Sequence, residues 1–180
     1  KKIILLETKL DRPSHVVATF SAYLENYFAP STSVHGVFVE LYGFGVLLTG
    51  KSGIGKSETA LELIHRGHRL IADDSVRFEK GVIGDITGRA SKLPYFMEIR
   101  GLGIIDVKAL YGVGAVRISK RLDMIIELQE LKSEDYLTAM DYQELTEVLL
   151  GNEISKIKLY ISSGRNAAAM VEIAVMNLMA

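Results

Sequence analysis

The stretch GKSGIGKSE, residues 50–58, constrains this chain more than any other. It sets three glycines and two lysines between an apolar run and a segment of helical periodicity. Gly50, Gly55, Lys56 and Ser57 satisfy the spacing G-x-x-x-x-G-K-[ST]. Glycines at these places let successive backbone N–H groups turn inward, and the helix N-terminus that follows adds partial positive charge, so a phosphate is held without side-chain clutter. The motif works only after a strand and before a helix, which is where it stands here. Gly50, Lys51, Ser52, Gly53, Ile54, Gly55, Lys56 and Ser57 therefore read as a phosphate-binding loop, with Lys56 meeting the β- and γ-phosphates and Ser57 a Mg2+ ion.

The flanking pattern fits an α/β chain with a strand, phosphate loop, helix, strand core. VHGVFVELYGFGVLLTG reads as two apolar strands around a glycine-containing turn. SETALELIHR places Ala60, Leu61 and Ile64 on one helical face, and Gly67 stands where a C-terminal cap belongs. HRLIADD follows as a short strand ending in carboxylates. Residues 45–74 are expected to close as a right-handed parallel crossover. Upstream, a short apolar strand precedes a helix carrying Val16, Val17, Phe20, Tyr23, Leu24 and Tyr27, which Pro30 ends. We read residues 1–32 as the tail of a preceding domain with a linking helix, and residues 33–180 as the catalytic domain. The final NAAAMVEIAVMNLMA, with Ala168, Val171, Ile173, Val175, Met176 and Met179, reads as a buried helix.

Composition narrows the function. The formal net charge is -1 and no basic stripe with interleaved aromatics occurs, so the footprint of a nucleic-acid binder is missing. Cysteine is absent, which excludes a disulfide scaffold, a thiol nucleophile and a cysteine zinc site. No apolar run approaches the about 18 residues of a membrane span. A cytoplasmic protein that binds neither nucleic acid nor membrane is the expectation.

Asp73 and Asp74 end the strand after the helix. If the strand continues through them, they point to opposite faces and take different tasks. In an open α/β sheet, ligands lie beyond the carboxyl ends of the strands, which puts one aspartate beside the phosphate loop, able to hold Mg2+ or to take a proton from an attacking hydroxyl. His35 follows no motif, and a lone histidine beside a strand is more often structural.

HGVFVELYGFGVLLTGKSGIGKSETALELIHRGHRLIADDSV and MEIRGLGIIDV together resemble the C-terminal catalytic domain of the HPr kinase/phosphorylase family, from about Ser33 to the end. EIRGLGIID is far more specific to that family than the phosphate loop. The resemblance implies a P-loop kinase domain of a bifunctional enzyme. Such an enzyme phosphorylates a serine of the phosphocarrier protein HPr with ATP or pyrophosphate, and removes the phosphate by phosphorolysis. It also implies a hexamer acting in carbon catabolite control. Carried onto this chain, it makes His35, Lys56 and Asp74 catalytic, with Asp74 the general base and Asp73 its Walker B-like neighbour. Ser57 and Glu98 become the Mg2+ ligands, and Met97 to Asp106 part of the catalytic surface.

Two stretches depart from the family. YISSGR, Tyr160 to Arg165, stands where the family has a Pro-Val-Arg-Pro-Gly-Arg stretch tied to dephosphorylation. After Asp141 the family carries an arginine on a mobile loop, absent here, so Asp141 and Tyr142 are expected not to be covalent neighbours in the intact protein. A phosphate loop alone shows phosphate binding and not chemistry. A small-molecule or carboxykinase-like P-loop kinase, or a nucleotide-gated binding module without turnover, are the rival readings.

Overall fold

The computed structural model describes residues 7, 9, 12–130, 145–162 and 166–178, with only the backbone of Asn26. The expected N-terminal strand, Met179, the segment 163–165 and the Asp141–Tyr142 junction lie outside these residues.

Helix α1 (Pro13–Tyr27) opens on a proline in its first turn and ends three residues before Pro30, as its sequence requires. Its apolar stripe is not buried in this chain: Val17, Phe20, Tyr23 and Tyr27 are all at least half exposed.

Strand β1 (Ser31–His35) leads through Gly36 into β2 (Val37–Leu41), which forms a hairpin with β3 (Phe44–Gly50). The hairpin turns at Tyr42 and Gly43, both at positive φ, as tight two-residue hairpin turns require. The phosphate loop then enters α2 (Lys56–His65). Gly67, at φ 98, follows its last turn, and the amides of Gly67 and His68 return to the carbonyls of Ile64 and Leu63. β4 (Arg69–Ala72), β5 (Ser75–Lys80), β6 (Ile86–Ala90), the hairpin of β7 (Phe96–Ile99) and β8 (Gly103–Asp106), α3 (Val107–Tyr111) and β9 (Ser119–Arg121) come next. The chain finishes with β10 (Met124–Glu130), β11 (Leu145–Leu149), β12 (Asn152–Ile161) and α4 (Ala167–Asn177).

These elements form three layers. A six-stranded sheet in the order β11-β12-β10-β3-β2-β4 is the middle one. One of its faces packs on α2 and α4 through Val37, Val39, Leu48, Ile126, Leu63 and Val171. The other meets a four-stranded sheet, β1-β5-β6-β9, through Phe38, Leu47, Ile125, Val76 and Phe78. The alternation of Val37 and Val39 with Phe38 is the period-two pattern of a strand buried on both faces. Phe38 and Phe78 meet edge to face at 5.4 Å between ring centroids, joining the two sheets at their centre.

The parallel crossover expected over residues 45–74 is corrected in one respect. β3 and β4 point the same way, but they are not neighbours: β2 lies between them and is antiparallel to both. The hairpin closes over two turn residues while β4 returns only after a loop and a helix, so the local partner takes the place beside β3. The final helix is also less buried than its composition suggests. Asn166 caps it by accepting from the Ala169 amide, and Ala168, Val171, Ala174 and Val175 are buried, but Ile173 is 54% and Met176 43% exposed. α4 packs on one face only, and these two side chains stand on the other.

Candidate functional site

The interposed β2 creates the site. Because it runs against β3 and β4, it begins where they finish, and Val37 is paired near the end of β3 and Phe38 with the last residue of β4. His35 and Gly36, the phosphate loop, and Asp73 with Asp74 thus arrive together at one end of the sheet. Gly36 accepts no side chain there, since a Cβ would lie 2.5 Å from the Leu48 carbonyl oxygen. Its amide donates to the Asp74 carbonyl at 3.1 Å.

Gly50 starts the loop at φ 132, where a Cβ would come within 2.4 Å of the Leu128 carbonyl oxygen. Gly55 is the left-handed N-cap of α2, and no side chain caps that helix, so the first-turn amides remain directed to a ligand. Lys56 is buried and donates from Nζ to the carbonyls of Gly50 and Lys51 at 3.1 and 3.0 Å. It thereby holds the loop in shape as well as carrying charge. Ile54 is the exception within the motif: its side chain packs against the core.

The two aspartates divide as expected but for another reason. β4 stops at Ala72, so strand alternation does not separate them. Asp74 instead adopts φ 66, an uncommon conformation for a residue with a side chain. Asp73 is half-buried and accepts from the Ser57 hydroxyl at 2.9 Å and from the Glu98 amide at 3.0 Å. Burial raises its pKa, opposed in part by those two hydrogen bonds. Asp74 is exposed and places Oδ1 3.2 Å from His35 Nδ1. The histidine that spacing alone left unassigned therefore meets an aspartate.

Glu98 enters from the β7–β8 hairpin, so residues 25 positions apart join through its amide and Asp73. A cleft of about 290 Å³ gathers His35, Lys56, Ser57, Asp73, Asp74 and Glu98 with Ser52, Gly53 and Gly55. Arg100 also lines it. Arg100 follows β7 in the turn of the β7–β8 hairpin, and that turn brings it to the cleft. The other side of the loop, Lys51 to Ile54, faces a second cleft of about 370 Å³ with Glu130, Ile161 and Ser162.

Among the described residues no group of three His, Cys, Asp or Glu side chains is placed to hold a metal. The Ser57 hydroxyl and the carboxylates of Asp73 and Glu98 nonetheless suit Mg2+, which prefers oxygen donors and is usually held by one or two carboxylates together with substrate phosphates. No helix among the described residues is long and apolar enough to cross a membrane.

Known proteins share this architecture. The chain is 62% identical over 98% of its length to a Fusobacterium nucleatum protein provisionally named an HPr kinase/phosphorylase, of which it spans 28%. It is 48% identical over 87% of its length to the HPr kinase/phosphorylase of Peptoclostridium acidaminophilum, spanning 51% of that protein. The solved Hpr(Ser) kinase/phosphatase of Coxiella burnetii superposes with a TM-score of 0.74 at 33% identity, over 82% of this chain and 90% of the other. Every residue that builds the cleft falls within the stretch 26–180 matched by the model of the HPr serine kinase C-terminal domain, and the chain belongs to that family.

Proposed function

We propose that this chain is the catalytic domain of a bifunctional HPr kinase/phosphorylase. The observation that carries the reading is the separation of the aspartates. Asp73 is engaged by Ser57 on the donor side, while Asp74 stands free of the loop and pairs with His35 at 3.2 Å.

In the forward direction the loop amides and Lys56 hold ATP or pyrophosphate, and Lys56 spreads the charge that develops on the transferred group. The serine oxygen of HPr attacks the terminal phosphorus in line, the bond to the leaving phosphate oxygen breaks, and the serine proton passes to Asp74. His35 orients that carboxylate. In reverse, inorganic phosphate attacks phosphoserine, pyrophosphate forms, and Asp74 returns its proton to the leaving serine oxygen. Ser57, Asp73 and Glu98 would hold Mg2+, which when bound neutralises phosphate charge. Positioning supplies most of the rate.

A cytoplasmic homo-hexamer in carbon catabolite control belongs to the same reading. So does a division of the chain between a linking helix and the catalytic domain, supported by the uncovered apolar stripe of α1 and placed before Ser31, where β1 already pairs with β5. The replacement of the prolines around Tyr160 makes phosphorolysis the half of the cycle to be measured separately. Incubation with labelled ATP and purified HPr tests the proposal: phosphoserine on HPr supports it. Label on a metabolite would instead indicate a small-molecule kinase, and nucleotide binding without transfer a binding module.

A further inference from the structure

Beside the phosphate cleft lies a smaller one of about 160 Å³, which shares Asp73, Asp74 and Glu98 with it. Its remaining wall is largely apolar, with Leu93, Phe96, Met97 and Ile104. Leu93 is 66% and Ile104 70% exposed, an arrangement that costs free energy unless something covers it. Leu93 comes from the turn before β7 and Ile104 from β8, so the hairpin that supplies Glu98 to the phosphates also supplies this wall.

The two clefts meet along Asp73, Asp74 and Glu98. A hydroxyl brought to the Asp74 carboxylate therefore carries its neighbouring group to the cleft that Leu93 and Ile104 line. An apolar cavity of about 150 Å³ is the size that takes one benzene-like group. The space thus fits a single apolar side chain. A small polar acceptor would leave it unfilled.

Resting on the functional reading above, we infer that this cleft is a specificity pocket for the acceptor protein, filled by an apolar side chain next to the serine that is phosphorylated. Leu93, which lines this cleft and not the phosphate cleft, acts on acceptor binding.

The test uses Leu93→Ser, with Leu93→Met as the conservative control, and HPr as the acceptor. Leu93 is exposed, so folding is not at stake, and thermal melting verifies it. The expected result is a KM for HPr raised about tenfold or more in Leu93→Ser and restored in Leu93→Met, with the Kd for ATP within about twofold of wild type. An unchanged KM for HPr, with wild-type transfer intact, overturns this inference alone. A changed molecular mass by sedimentation also overturns it, because the face would then belong to contacts between copies. A wild-type chain that transfers nothing to HPr overturns the functional reading and this inference with it.

Discussion

His35 Nδ1 lies 3.2 Å from Asp74 Oδ1 although His35 ends β1 and Asp74 lies in the turn between β4 and β5, and the pair stands clear of the Lys56 contacts within the phosphate loop. It forms where β1 leaves the small sheet and where β4 hands over to β5. On the proposed reading that carboxylate takes a proton and does not hold a phosphate. Asp74→Asn is expected to slow phosphoryl transfer by about 10²–10⁴ while leaving ATP affinity nearly unchanged, as single-turnover transfer and nucleotide titration would show. Equal losses in both would make Asp74 a metal-binding residue. His35→Ala should lose less, and the double variant less than the product of the two, because the residues act as one unit.

Lys56 holds the loop carbonyls and, on the proposed reading, carries the charge that meets the phosphates, and one substitution removes both. Lys56→Met keeps most of the buried stem but removes the charge and both hydrogen bonds to the loop carbonyls. Transfer should fall by about 10²–10³ in both directions, with a stability loss of about 1–3 kcal/mol measured by denaturant. Turnover near the wild-type rate would sink the assignment of the loop.

Gly50→Ala combines a positive φ of 132 with a Cβ 2.4 Å from the Leu128 carbonyl oxygen, which is backbone and does not yield. A loss of about 2–4 kcal/mol is expected, together with weakened phosphate binding, because the loop must shift away from β10. Chemical denaturation and phosphate titration by NMR check both parts.

Asp73 gives a pH prediction whose sign follows from burial. Its folded-state pKa is raised above the ordinary 3.8, so the native state binds more protons than the unfolded one in the interval between the two values. The contribution of Asp73 to stability therefore decreases as pH rises through that interval, and its cost is fully present above the raised value. Asp73→Asn removes this titration. The melting temperature of the variant relative to wild type should move upward as pH is raised from 3.8 toward neutrality. A relative shift in the opposite direction would show that the hydrogen bonds from Ser57 and Glu98 outweigh burial.

The phosphate loop, the helix after it and the aspartate pair were legible because each depends on local chemistry: glycine conformations, a helix terminus and a strand end. Gly67 ended α2 where its sequence said it would. Leu63, not Leu61, proved the more deeply buried of the leucines, since helical phase depends on which face the sheet covers. The sheet order was not legible. Whether β4 lies beside β3 or beyond β2 is a contest between pairings of different sequence separation, and periodicity carries no such information. The same holds for His35 and Arg100, which belong to no local pattern at the phosphate loop and reach it only through β2 and the β7–β8 hairpin. Glu98 is singled out by resemblance alone, and the hydrogen bond that its amide donates to the Asp73 carboxylate had no sequence signal at all.

The division of labour between the aspartates has a mechanical side. Ser57, Lys56 and Asp73 ride on the large sheet and its helix, whereas His35 is paired with Ser75 in the small sheet and Asp74 is the residue immediately before it. On the proposed reading the donor side of the site is mounted on the large sheet and the acceptor side on the small one, and the chain crosses between the two sheets beside both, at Gly36 and at Asp73–Asp74. Phe38 and Phe78 pack between the same two sheets, so a residue that touches no phosphate, such as Phe78, still belongs to the support of both halves of the site.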